Sequence, residues 1–333
     1  TILKNKFKKI KFDGHNQDEI QNIIGWERFV RRLYDSGCKV FITGSNANML
    51  SRELGTHLTG RYCQIELYPF SFSEFLKMKD EYPERKDFYT TTGKSNLRRL
   101  FEEYLKTGGF PRYIQDMNGN YLTTLYENII YKDVITRNKL NGERELLEMI
   151  YYLASNATKR FSYNSLAKVV EIKHPDTVKN YLEYIESTYL LSQVMRFDWS
   201  VKKQIGYQKK VYFIDNAIIN KVGFNATDNI GQLLENLVFI QLKRQHKEVY
   251  YHDNGVECDF VVREDGHIIS AFQVTRSLSD VKTKQREING LLSALNAYNL
   301  MEGIILTADE TEELIIERKK INICPIWKWL LQG

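Results

Sequence analysis

The sequence predicts an α/β protein with more than one domain, and three observations carry that expectation. A helix pattern in "WERFVRRLYDSG" leads directly into the apolar run "CKVFITGSN". A row of helical patterns ends in two β-like runs, "LSQVMRFD" and "KKVYFID". After Ile230 an almost wholly apolar helix is followed by strand and helix patterns in the order α-β-β-β-α-β. Helix followed by buried strand is the pattern of a parallel sheet covered by helices. With 333 residues, 43% hydrophobic and 13% aromatic, the chain has material for two or three cores and is not disordered.

Changes of pattern place the boundaries at 1–67, 68–144, 145–225 and 226–333. In the first segment Phe29, Val30 and Leu33 share a helical face, and Gly37 supplies a stop. The strand after it ends on Thr43, Ser45 and Asn46, at the carboxyl end where open parallel sheets hold ligands. The second segment reads as helical. Ser71 and Glu74 have capping-box spacing, and "TTTGKSN" reads as a loop. Leu97, Leu100, Phe101, Tyr104 and Leu105 then line one face until Gly108, Gly109 and Pro111 break the pattern.

The third segment holds the helices "ELLEMIYYLAS", "NSLAKVVEI" and "HPDTVKNYLEYIESTYLL". In the last, Asp176 is the expected N-cap and Val178, Tyr181, Leu182, Ile185 and Tyr189 face inward. Two β-like runs come next, joined by the basic "SVKKQIGYQK". Three helices and a basic hairpin make the winged helix-turn-helix order. The fourth segment opens with "GQLLENLVFIQLKRQ" and continues with "VYYH", "CDFVVRE" and "IISAFQVT". A helix with Ile288, Leu291, Leu292 and Leu295 on one face, the strand "GIILTA" and the closing "NICPIWKWLLQ" complete it.

Composition excludes several classes. No apolar run approaches the roughly 20 residues needed to span a bilayer, and the basic "TILKNKFKKIKF" precedes no signal-peptide core. Cys38, Cys63, Cys258 and Cys324 are scattered without CxxC spacing, which argues against a zinc site or a disulfide framework and fits a reducing cytoplasm. His246, His252 and Cys258 match no standard zinc spacing. Net charge is only +5, but Ser155 to Lys210 carries ten Lys/Arg against five Asp/Glu, as a nucleic-acid face or a solvated surface would.

Asp18 and Glu19 are an adjacent acid pair in "QDEIQNIIGWERF". Taken locally they begin a helix, where the dipole favours negative charge, because "FDGHNQ" before Asp18 is no apolar strand. Their context says more. The blocks "DEIQN" and "GWERFV", "VFITGSNANML", "LTGRY" and "LYPFSFSEFL" stand in the order of a bacterial and archaeal AAA-type ATPase family, which the chain resembles. "GGFPRYI", "YKDVI", "LLENLVFIQL", "ECDFVV" and "PIWKWLL" resemble the domain which that family carries fused to its ATPase, so the likeness runs from Asp18 nearly to the end.

The resemblance implies a partial P-loop ATPase α/β domain with a helical lid. It implies that Asp18 and Glu19 are the Walker B acids, Asp18 helping to hold Mg²⁺ beside ATP and Glu19 orienting the attacking water. Ser45 and Asn46 become sensor residues. Arg61 becomes an arginine finger for a neighbouring subunit's nucleotide, and hence implies a homo-oligomer; a structural surface arginine is the alternative. The family's P-loop should precede the acids, yet no GxxxxGK followed by Ser or Thr occurs in the sequence. Gly93-Lys94-Ser95 comes after the acids, and Phe88 stands where the first glycine belongs. These 333 residues by themselves are therefore expected not to bind ATP tightly, and a first residue Thr1 in place of Met favours a further N-terminal stretch over a degenerate paralogue.

The last segment resembles the PD-(D/E)XK nuclease fold, in which acids on neighbouring strands bind Mg²⁺ and a lysine helps to activate water. Asp259 falls at the metal-binding Asp, Gln273 where a carboxylate is expected and Thr275 at the lysine position, which leaves Arg276 or Lys282 as substitutes. Glu235 shares a helix side with Val238, Phe239 and Leu242. A carboxylate there needs a partner, which a shared metal would supply. With Gln273 and Thr275 in those places, cleavage is not expected. In the winged helix, Lys173, His174, Thr177, Lys179 and Asn180 begin the recognition helix and Lys202, Lys203, Lys209 and Lys210 decorate the wing, suited to phosphates and base edges. The expected function is an ATPase coupling nucleotide turnover to a nucleic-acid-binding half, with DNA favoured over RNA and no membrane contact. A metal-dependent nuclease, or a non-catalytic DNA-binding or interaction module, is the alternative.

Overall fold

The structure is a computed structural model that describes residues 26–41, 63, 65–224, 229–245 and 248–332. The chain divides into two units, Thr1–Glu66 and Leu67–Gly333. In the first, α1 spans Trp26–Asp35 and buries Trp26 and Val30, one turn apart, while Phe29 is exposed. The buried face is thus rotated from the expected one toward Trp26. The chain turns at Gly37, where the Cys38 amide donates to the Leu33 carbonyl at 3.0 Å. Residues 38–41, the described part of the expected strand, carry no helix or strand assignment, and the rest of that run lies outside the described residues. Asp18, Glu19, Thr43, Ser45, Asn46 and Arg61 lie outside the described residues.

The second unit begins with helices. In α2 (Phe72–Met78) the expected capping box forms: the Glu74 amide donates to Ser71 Oγ at 3.3 Å and the Ser71 amide to Glu74 Oε2 at 2.8 Å. A 3₁₀ turn at Arg85–Phe88 leads to α3 (Thr91–Thr107), capped by Thr90. The "TTTGKSN" stretch is therefore the first turns of a helix and not a loop, because Thr90 Oγ1 accepts from the Gly93 amide at 3.2 Å and nucleates it. All five expected face residues of α3 are buried, against Phe72, Phe75 and Leu76 of α2. Burial of each such side chain stabilises by about 1.5–3 kcal/mol. The chain continues through α4 (Pro111–Asp116), α5 (Gly119–Glu127), a π-helical stretch at Asn128–Thr136 and α6 (Glu143–Ser155).

A small sheet comes next: β1 (Arg160–Phe161), α7 (Tyr163–Val169), α8 (Pro175–Ser187), β2 (Leu191–Met195), α9 (Val201–Gly206) and β3 (Lys209–Phe213). Its order is β1-β3-β2, antiparallel throughout, with Arg160 opposite Lys210. Two details differ from expectation. His174, not Asp176, is the N-cap of α8, since Pro175 takes the first helical position. The link between β2 and β3 also contains the helix α9, in place of a simple hairpin loop.

α10 (Asn216–Val222) and α11 (Ile230–Arg244) lead to the large sheet, formed by β4 (Glu248–Asp253), β5 (Glu257–Glu264), β6 (His267–Val274), then after α12 (Val281–Ala297) β7 (Glu302–Thr307), β8 (Glu312–Ile316) and β9 (Lys319–Pro325), with α13 (Ile326–Trp329) at the end. The order is β4-β5-β6-β7-β9-β8. β7 is parallel to both β6 and β9, and the other pairs are antiparallel. The expected α-β-β-β-α-β order holds through β7, and the β8–β9 hairpin extends it. Phe260, Val262 and Phe272 pack on one face with α11; Val261, Ala271 and Ile305 pack on the other with Leu291 and Leu295 of α12. Burial on both faces explains the near-continuous apolar reading of β5. Among the described residues, no helix is long and apolar enough to cross a membrane.

Candidate functional site

The most highly charged buried point of the described chain lies where the small sheet meets α11 and β5. Lys210 projects from β3 and is only 2% exposed. Its Nζ lies 2.9 Å from Glu235 Oε1, 2.6 Å from Glu257 Oε1 and 3.3 Å from Asp259 Oδ1. Glu235 Oε1 also accepts from the Tyr212 hydroxyl at 2.6 Å. Arg160, opposite Lys210 in the ladder, reaches Glu257 through Nε at 2.9 Å and also pairs with Asp253. Burial works against the charge on Lys210, but Glu235, Tyr212, Asp259 and Glu257 together hold its pKa well above the ordinary lysine value. Burial raises the Asp259 carboxyl, and the Glu235 charge adds to the effect.

The structure therefore brings Glu235 and Asp259 together as the nuclease-like reading expects, but places an ammonium between them. Lys210, expected on an exposed wing, is buried among carboxylates, because every residue of β3 is buried. Lys209 is likewise withdrawn. Its Nζ donates to the carbonyls of Ile205 at 2.9 Å and Tyr207 at 3.2 Å and lies over the Tyr163 ring. Gln273 is fully engaged: its Oε1 accepts from the Asp259 amide at 3.2 Å and its Nε2 donates to Glu287 Oε2. Asp259 Oδ2 accepts from the Val274 amide at 2.9 Å. Thr275 stands apart, its backbone amide on the Leu306 carbonyl at 3.0 Å and its hydroxyl near the Ser277 carbonyl.

Mg²⁺ does not fit this arrangement. It requires oxygens at about 2.0–2.1 Å in octahedral geometry, and the space between the carboxylates holds Lys210 Nζ. Among the described residues, no group of three His, Cys, Asp or Glu could hold a metal ion. His252 and Cys258 are explained by packing. The His252 ring nitrogens meet Tyr298 OH at 2.9 Å and Ser293 Oγ at 3.0 Å, and Cys258 Sγ faces the Phe272 carbonyl at 3.3 Å. His246 lies outside the described residues.

The neighbouring buried polar groups fix the frame. Asn236, beside Glu235 on α11, accepts from the Phe213 amide at 2.8 Å and donates to the Phe213 carbonyl at 3.0 Å, tying α11 to the end of β3. Asp215 caps α10 through the Ala217 amide and accepts from the Gly109 amide at 2.7 Å. Gly108, at φ 70°, has no room for a side chain: a Cβ would stand 1.6 Å from Asp215 Oδ1. Burial pushes Asp215 up to about 7. The remaining nucleic-acid-binding candidates are exposed: Lys173 just before α8, Lys179 and Asn180 in it, and Lys202 and Lys203 on α9. Lys179 faces Glu183 at 3.8 Å and Lys203 faces Asp198 at 3.7 Å.

Sequence reasoning missed Tyr212, Glu257 and Arg160 as members of the cluster. The available signal was the need of Glu235 for a partner, together with two lysines inside an otherwise apolar strand.

Comparison with known proteins supplies the class. Residues 3–76 match the family described as an AAA domain, and residues 98–228 match a domain of unknown function (DUF8612). The chain is 33% identical to the uncharacterized protein MJ1544 of Methanocaldococcus jannaschii over 333 residues, covering 94% of this chain and 74% of that one. It is 28% identical to an uncharacterized protein of Haemophilus influenzae over 325 residues, covering 95% and 76%. A second M. jannaschii protein, MJ1637, is 25% identical over 343 residues, covering 94% and 69%. No solved structure matches the chain. The N-terminal match is to an AAA-like ATPase domain. The chain belongs to the same family as MJ1544, an AAA-like ATPase family in this N-terminal part.

Proposed function

We propose that this protein is an AAA-type ATPase whose nucleotide turnover rearranges a nucleic-acid-binding half. The observation that carries the reading is the AAA domain match over residues 3–76, which contains Asp18, Glu19, Ser45, Asn46 and Arg61. In this reading Asp18 would help to hold Mg²⁺, Glu19 would orient the attacking water, Ser45 and Asn46 would sense the nucleotide, and Arg61 would serve a neighbouring copy in a homo-oligomer. ATP–Mg²⁺, when bound, would supply the phosphoryl group and the charge neutralisation. Glu19→Gln should retain ATP binding in the full-length protein while turnover falls by ~100-fold or more. Nucleotide titration and phosphate release measure the two, and absence of saturable ATP–Mg²⁺ binding would overturn the proposal.

The nucleic-acid part of the reading rests on the order α6-β1-α7-α8-β2-α9-β3, that of a winged helix with a short helix set into its wing, and on the exposed Lys173, Lys179, Asn180, Lys202 and Lys203. Trp199 adds a stacking surface beside the α9 lysines: it is 69% exposed and stands edge-on to Phe197 at 5.1 Å. DNA is the expected ligand. The α11-to-β7 region serves in this reading as a nuclease-like scaffold without cleavage.

A further inference from the structure

We propose that Lys210, braced by Arg160, is a tethered cation that takes the place of a divalent metal among Glu235, Glu257 and Asp259, closing that cluster to metal and latching the small sheet onto the large one. The inference is independent of the ATPase reading, because every residue in it lies between β1 and β5.

Lys210 Nζ donates hydrogen bonds to Glu235 and Asp259 and forms an ion pair with Glu257. An ammonium has three N–H donors, and Lys210 Nζ has three carboxylate oxygens at 2.6, 2.9 and 3.3 Å. These separations are those of N–H···O contacts, not of metal–oxygen bonds. The carboxylates are also held in position from outside the cluster. Tyr212 OH donates to Glu235, Arg160 pairs with Glu257, and the Val274 amide donates to Asp259. Arg160 and Lys210 are ladder partners, so two cations leave the same face of the small sheet toward acids on α11, β4 and β5. A free Mg²⁺ must displace an ion that the backbone keeps permanently at the site, and it must also tolerate Arg160 alongside. Removal of the lysine leaves three crowded carboxylates without their counter-ion, and a divalent cation that draws their oxygens inward would neutralise them.

The test is Mn²⁺ binding without nucleotide, followed by electron paramagnetic resonance and by thermal unfolding, on the full chain. The wild type should show no Mn²⁺ binding that Asp259→Asn reduces, and no Mn²⁺-dependent rise in unfolding temperature from this cluster. Lys210→Ala should bind Mn²⁺ at least tenfold more tightly and unfold at a higher temperature with Mn²⁺ than without it. Both gains should vanish in Lys210→Ala/Asp259→Asn. Lys210→Gln, which removes the charge and keeps a polar stem, should behave in the same direction. If both single variants are recovered unfolded, refolding with Mn²⁺ replaces the titration: return of native circular dichroism supports the proposal, and its failure to return overturns it. Wild-type Mn²⁺ binding lost on Asp259→Asn, or folded lysine variants with no gain, also overturns it.

Discussion

At the scale of single residues, the cluster shows how one charge changes the meaning of its neighbours. Glu235 on a largely apolar helix demands a partner, and the sequence makes that demand visible. The partner's identity is not visible, because Lys210 is 25 residues away and stands beside Lys209 in what looks like a solvated basic turn. Hydropathy cannot distinguish a lysine that reaches water from one that reaches three acids. His252 gives a sharper forecast. Burial, reinforced by the charge of Arg196, lowers it to about 4 from 6.5. Its contribution to stability is therefore complete above pH 6.5 and is lost as pH falls toward 4, because the unfolded chain takes up a proton that the folded chain refuses. The slope is at most about 1.4 kcal/mol per pH unit. Denaturant unfolding at several pH values should show that the difference between wild type and His252→Gln shrinks as pH drops through this window. A difference that stays constant would contradict the assignment. Asp215, raised to about 7, acts in the opposite direction and is common to both proteins, so it cancels in the difference.

Among the elements, those with strong periodicity and a cap were legible and those with unusual turns were not. α3 shows its buried face in the spacing of Leu97, Leu100, Phe101, Tyr104 and Leu105, and α2 shows its start in Ser71 and Glu74. The β8–β9 hairpin was hidden because its turn uses Glu317 and Arg318, at φ 51° and 64°, where Gly or Asn would normally announce it. The α9 helix was hidden because six residues are too few to display a period. One helix–sheet contact can be tested directly. α12 approaches β5 at Gly290, where a Cβ would lie 2.2 Å from the Glu257 carbonyl oxygen. Neither backbone can move without shifting its whole element. Gly290→Ala should therefore cost about 1–3 kcal/mol in urea unfolding, and an unchanged midpoint would show that the contact is looser than the structure has it.

For the whole molecule, the division into exposed and withdrawn lysines matters more than the net charge of +5. Lys202 and Lys203 remain available on α9, whereas Lys209 and Lys210 serve the interior. The Lys202→Ala/Lys203→Ala variant should bind duplex DNA more weakly and with a shallower dependence of log K on log salt, the slope falling by about 2. Lys209 is expected to leave that slope unchanged. Fluorescence anisotropy across a salt series measures both, and equal slopes for the double variant and the wild type would remove these lysines from the interface. The AAA part was legible through the order of short blocks, each weak alone, and the match over residues 3–76 bears out the family at that level.

The amide of Asn236 and the ammonium of Lys210 together decide which parts of the chain can be inherited as a piece. A fragment ending before α11 would carry a buried lysine without its counter-ions and a β3 terminus without its side-chain clasp. A fragment beginning at α11 would carry three crowded acids without their cation. The unit from Leu67 to Gly333 therefore resists division between β3, α11 and β5, because these elements share one set of charges that no cut between them leaves neutralised.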